Sequence, residues 1–204
     1  MPPRSASGRR PAPAGELRDG FKFRGGRLAL DFAASLAGRL REQPTDLLRE
    51  PDDLGRWLVA AGLAVRPPAP TRADLVGARE LREALYRLAL SCARGRPLAE
   101  ADRAIVNRWA ARPGPAPQLA AGGALTWRGA GVPALIAAIA RDGVELLGGS
   151  DAARIRACAG EGCAVLFLDT SRAGRRRWCS MASCGNQAKV RGFRRRARRG
   201  ARRQ

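Results

Sequence analysis

Four cysteines near the C-terminus, Cys158, Cys163, Cys179 and Cys184, stand in a C-x4-C-x15-C-x4-C arrangement. Zinc asks a chain for this: four thiolates in a tetrahedron, each sulfur about 2.3 Å from the metal, supplied by two short loops that double back. All four positions are then protein sulfur, with no place for water, so one Zn2+ held there is structural and not a Lewis acid. A segment so small and polar cannot hold itself by a core, and metal binding of about 10 kcal/mol is what folds it. Free core thiols or a regulatory disulfide are the competing readings. The fifth cysteine, Cys92, falls on the apolar stripe of a helix and reads as a small core residue. Histidine is absent. That removes Ser-His-Asp and Cys-His catalytic sets, His-ligated metals and imidazole switches. With no nucleophile, base or cofactor loop to name, the expectation is a protein that is not an enzyme.

The second chemical signal is charge. The 204 residues carry 38 Lys+Arg against 18 Asp+Glu, a formal net charge of +20. Residues 151–204 hold 15 of the basic and only 3 of the acidic side chains, and after Asp169 thirteen Arg or Lys follow with no acid at all. Such asymmetry marks a segment that meets a polyanion. The candidate contacts are Arg172, Arg175, Arg176, Arg177, Lys189, Arg191, Arg194, Arg195 and Arg198. A helix continuing past the last cysteine would place Arg191, Arg195, Arg198 and Arg202 on one face, suited to phosphates and to guanine in the major groove. Double-stranded DNA is the first reading of the partner. Structured RNA is the second, because arginine-rich segments serve either, and a zinc-thiolate redox sensor is the third. Trp178 and Phe193 are expected to pack a miniature core rather than stack on bases.

The elements that must position this chemistry follow from period and punctuation. Between the cysteine pairs, Ala164–Asp169 and Arg175–Trp178 suggest a small hairpin turning at 170–174. A helix then starts at the second pair, a treble-clef-like layout. Upstream, Phe21–Phe32 alternates on both sides of Gly25-Gly26 and suggests a glycine-turn hairpin. Pro51 opens a short helix to about Leu63, and Thr71-Arg72-Ala73-Asp74 is a capping box opening a helix to about Arg94. Further helices cover about 98–111 and 132–147, with a second hairpin around Gly122-Gly123. Asp31, Asp52, Asp53, Glu80 and Glu83 read as solvated or capping groups. The fold class is therefore α+β: a mostly helical N-terminal domain with small β-hairpins, followed by a treble-clef-like zinc finger with four cysteine ligands. The expected organisation is a basic, unordered tail over 1–18, the α+β domain over 19–149, the finger over 150–196 and a basic tail over 197–204. Gly148-Gly149-Ser150 is the expected hinge. No secretory signal is visible, and the apolar stretch Val132–Leu147 is too short and too interrupted by Arg141 and Asp142 to span a bilayer. A cytoplasmic, nucleoid-associated protein without a membrane partner is expected.

Cys158 and Cys163, the stretch Leu166-Phe167-Leu168-Asp169-Thr170-Ser171-Arg172, Arg176 to Met181, and Cys184-Gly185-Asn186 with Lys189 closely resemble the CGNR zinc-finger family. Gly25 to Phe32, Pro51 to Leu54 with Trp57-Leu58, and Leu81 to Tyr86 look like the ABATE-type domain that accompanies this finger. The resemblance covers about residues 21–196. It implies stress-induced transcription regulators whose finger binds DNA, a function ascribed largely from positive charge. The motif naming the family ends in arginine, where this chain has Gln187. That glutamine is the tenth candidate contact, able to pair with an adenine edge. By analogy with two-part regulators, a homodimer and a small-molecule effector of the N-terminal domain are further expectations.

Overall fold

The computed structural model describes residues 16–66, 69–129 and 131–201. The tail expected over 1–18 falls mostly outside these residues, and its last three form a strand. β1 (Glu16–Arg18) pairs antiparallel with β2 (Phe21–Phe23) through the two-residue turn Asp19-Gly20. Both turn residues have positive φ, 46° and 80°, as the tight hairpin turn that follows strand twist requires.

This corrects the hairpin expected around Gly25-Gly26. Leu28–Ala33 is a helix, α1, with five of its six residues buried. Apolar residues occur at consecutive positions here, so the segment is buried on nearly all sides and the alternation of Leu28, Leu30 and Phe32 carries no face information. Gly25 is required because a Cβ there would lie 2.5 Å from the Leu30 Cβ. A two-residue bridge follows, β3 (Leu36–Ala37) with β4 (Thr45–Asp46).

Four helices build the body: α2 (Pro51–Ala60), α3 (Arg72–Ala93), α4 (Glu100–Ala110) and α5 (Val132–Gly148). Thr71 caps α3 as expected, with its Oγ1 accepting from Asp74 N at 3.1 Å and the Asp74 carboxylate accepting from Thr71 N at 2.8 Å. The α3 stripe buries Leu75, Ala78, Leu81, Leu85 and Leu88. Trp57 centres the core against Phe32, edge-on at 4.7 Å, and Phe23, stacked at 5.9 Å. Between α4 and α5 the hairpin β5 (Ala116–Leu119) and β6 (Leu125–Arg128) forms where expected.

Buried charged groups find either an opposite charge or hydrogen-bond donors. Arg82 is 4 % exposed and grips Asp46 in a bidentate pair at 2.6 and 3.0 Å while its Nε donates to Glu83. Asp53 accepts from the Arg49 and Glu50 amides ahead of α2, a capping role as expected. Asp31 is not solvated as expected. It is buried, and its carboxylate accepts from Gly25 N at 2.7 Å.

Gly148, Gly149 and Ser150, the expected hinge, are exposed, and the packing between the two parts begins just after them. A 3-10 helix over Ser150–Arg154 leads into β7 (Ile155–Ala157), which pairs with β8 (Leu166–Leu168) in the register Ile155↔Leu168. Ile155, Leu166 and Leu168 join Leu30, Ala89 and Leu146 of the helical body in one buried cluster, and Leu168 N donates to Gly25 O at 2.8 Å. The finger is thus seated on α1, α3 and α5.

Candidate metal centre and nucleic-acid interface

The first cysteine pair sits on the loop joining β7 to β8. This corrects the finger hairpin expected from sequence, because β8 pairs with the strand before Cys158 and not with Arg175–Trp178. The cause is Asp169. Its carboxylate accepts from Ser171 N (2.9 Å), Ser171 Oγ (2.6 Å) and Arg176 N (2.9 Å), which curls residues 169–176 into a loop. These bonds hold the Asp169 carboxyl below its ordinary range despite burial. Arg154 fixes the same corner by donating to Asp169 O.

Of the second pair, Cys179 precedes and Cys184 lies within a single wide turn over Met181–Gly185, and α6 (Asn186–Ala201) grows directly from it. All four Sγ atoms lie within 4.8 Å of one another. The Cys163–Cys179 and Cys179–Cys184 separations are 3.9 and 3.7 Å. A tetrahedron with metal–sulfur bonds of about 2.3 Å has edges of about 3.8 Å. Cys158 Sγ also accepts from Gly160 N (3.4 Å) and Cys179 N (3.3 Å), bonds that favour a thiolate. Gly160 has no room for a side chain: a Cβ would lie 3.0 Å from both the Cβ and Sγ of Cys184.

The crowded thiols cannot all ionise by themselves. Hydrogen bonds from Cys163, Cys179 and the backbone amides hold the Cys158 thiol far below its ordinary value, while sharing with Cys158 pushes Cys163 and Cys179 up. A divalent cation at the centre removes that conflict. The donor set, spacing and burial fit one structural zinc ion.

Behind the cluster, Phe167 is fully buried and Trp178 half-buried. Arg176 lies over the Phe167 ring at 4.4 Å and donates to Trp178 O (2.9 Å) and to Cys179 O. Although its charge suggests a nucleic-acid contact, Arg176 is therefore engaged as a buttress of the second knuckle. Arg177 stacks on Trp178 at 5.2 Å, and Arg172 and Arg175 are exposed on the Asp169 loop. On α6, Gln187, Lys189, Arg191, Arg194 and Arg195 are all exposed; the side chain of Arg198 and the whole of Arg202 lie outside the described residues. Arg191 has a loose ion pair with Glu161 at 3.5 Å. Phe193, expected in the miniature core, is instead 67 % exposed. The α6 helix continues past residue 196, so residues expected to be tail share its backbone. Cys92 is half-buried against the second cluster and burial pushes its thiol up, as a core residue's should be.

A family model for ABATE, described as "Putative stress-induced transcription regulator", matches residues 26–150. The chain belongs to the ABATE family. Its C-terminal part matches the CGNR zinc finger over residues 154–197. Both halves of the resemblance read from the sequence are thereby established for this ABATE chain, and neither family is an enzyme family. No curated protein matches it. Among the described residues, no helix of this ABATE protein is long and apolar enough to cross a membrane.

Sequence reasoning misses three kinds of residue in this ABATE–CGNR chain. Asp169 is legible, since Asp followed two positions later by Ser is an Asx-turn signature. A glycine inside a cysteine knuckle, as at Gly160, signals close backbone approach. Lys22, Arg24 and Arg41, which line a pocket beside the metal centre, carry no such signal because their strands and loops are distant in sequence from the finger.

Proposed function

We propose that the chain is a zinc-dependent, DNA-binding transcription regulator of the stress-responsive kind, cytoplasmic and nucleoid-associated, with no catalytic step of its own. The observation that carries this reading is the growth of an exposed arginine helix directly out of the metal-site turn: Cys184 lies in the turn that α6 continues. Metal binding thus fixes the base of a helix whose outer surface presents Arg191, Arg194 and Arg195, with Lys189 and Gln187 on its first turns. Arg172 and Arg175, on the loop held by Asp169, supply a second cationic edge. Phosphates neutralised by such residues release counterions, so affinity depends steeply on salt.

Fluorescence anisotropy of the zinc-loaded protein with a labelled duplex tests the reading. If six phosphates are engaged, log K against log salt has a slope of about −5, and affinity falls by about three decades between low and moderate salt. Chelating the zinc abolishes binding. A flat salt profile, or duplex binding indifferent to chelation, overturns the reading; preference for structured RNA over duplex in competition redirects it to RNA.

A further inference from the structure

We infer that the junction between the ABATE body and the finger is a binding site for a phosphate group. A cavity of about 130 Å³ lies there, walled by the β2 strand and the loop after it, by the segment following α1, and by the finger, whose metal ligands Cys163, Cys179 and Cys184 form part of its lining. Three cations from upstream of the finger line it: Lys22 and Arg24, just ahead of the ABATE match, and Arg41 within it. None has an ion-pair partner among the described residues, although Arg27 and Arg39 nearby in sequence do. Arg24 Nε is moreover buried without a hydrogen-bond partner, as is Nε of the ion-paired Arg39, and such a group costs free energy. The one acid in the lining, Glu161, faces Arg191 at 3.5 Å. Ser183 and Gln187 bring neutral polar groups from the finger side.

Arg41 is placed for this role. Its stem runs over Gly38, where an added Cβ would meet the Arg41 Cδ at 2.9 Å, and reaches Gly162 of the first knuckle. The side chain therefore bridges the two parts of the protein. Gln187 gives the site its particular form in this chain. An arginine there, as in the motif that names the finger, would put a fourth cation into the pocket and fill it; glutamine leaves room for a tetrahedral oxyanion. Gln187 also shares a helical face with Arg191, Arg194 and Arg195, and Glu161 lines both this cavity and the adjoining concavity of Arg191 and Arg195. The pocket thus lies at the head of the cationic α6 surface. The same phosphate chemistry can come from two sources, the backbone of a bound nucleic acid or a free phosphate-type anion.

The test titrates inorganic phosphate into the zinc-loaded full-length protein at constant ionic strength, following arginine side-chain N–H resonances. Arg24 and Arg41 resonances are expected to shift saturably, and Arg41→Gln, at an exposed position, to weaken binding about tenfold. Arg24→Lys serves as the second variant, and Gln187→Arg is expected to abolish phosphate binding while zinc is retained. If the phosphate belongs to nucleic acid, Arg41→Gln lowers the salt slope for the duplex by about 0.9 and inorganic phosphate competes with it. If it is a free anion, phosphate binds while duplex affinity and slope stay as in wild type. The duplex arm alone rests on the proposed DNA binding, so a chain that bound phosphate but no duplex would refute that reading and keep this one. No saturable shift with phosphate overturns the site, and loss of zinc in Arg24→Lys and Arg41→Gln overturns it too, by showing these cations to be counter-charges of the thiolates.

Discussion

Asp31→Asn isolates a carboxylate whose burial works against its ionisation. In the folded chain Asp31 is 5 % exposed, and desolvation by burial raises its pKa from the ordinary 3.8 to about 7, although the Gly25 amide donates to it. The nearby Asp142 charge pushes the same way. With the folded value above the unfolded one, the folded chain binds the extra proton. The stabilisation is fully present below about pH 4 and is lost as pH rises through about 7. Three pH units at about 1.4 kcal/mol each make the whole effect about 4 kcal/mol. Asparagine keeps the size of the side chain and an oxygen for the Gly25 amide but never ionises. Its stability advantage over wild type should therefore grow by about 2 kcal/mol between about pH 5.5 and about pH 8.5, and level off above. Guanidinium unfolding of both zinc-loaded proteins across that range measures it. The difference between the curves cancels the pH dependence of the thiolates and of the depressed carboxylates at Asp46, Asp53, Glu83 and Asp169. Parallel curves would mean that Asp31 ionises normally and that the reasoning from burial is wrong.

Gly160→Ala should weaken zinc retention against a chromophoric chelator at least about tenfold, since its Cβ must displace Cys184; unchanged retention would show that the knuckle yields freely. Arg82→Ala should cost about 2 kcal/mol in urea unfolding, because it removes two charge-assisted bonds to Asp46, which keeps only Arg79 at 3.4 Å and the Leu48 amide, and a donor to Glu83. A loss below about 0.5 kcal/mol would place that pair among exposed ones.

The metal centre is legible because sulfur spacing in the sequence already encodes the geometry of a tetrahedron. The long helices are legible for a related reason: Leu75, Ala78, Leu81, Leu85 and Leu88 repeat at helical steps, and Thr71 with Asp74 announces where the repeat begins. Residues 28–33 mislead because Leu28, Leu30 and Phe32 alternate while Ala29 and Ala33 are buried too, and a segment covered on all sides has no period to betray it. The Asp19-Gly20 turn carries a hairpin signal but lies beside a glycine pair that draws the reading away. The pairing of β7 with β8 across the first knuckle is a tertiary choice, fixed by Asp169 curling the chain away from Arg175–Trp178. The burial of Asp31 and the gathering of Lys22, Arg24 and Arg41 depend on contacts between parts far apart in sequence, which no local pattern records.

Ile155, Leu166 and Leu168 are shared property of the two family regions. Severed from the helical body, the finger would present three large aliphatic side chains to water, so it is not a cassette to be transplanted. Conversely, the strands flanking the first two sulfurs rest on α1, α3 and α5, so the helical body sets where the first knuckle stands.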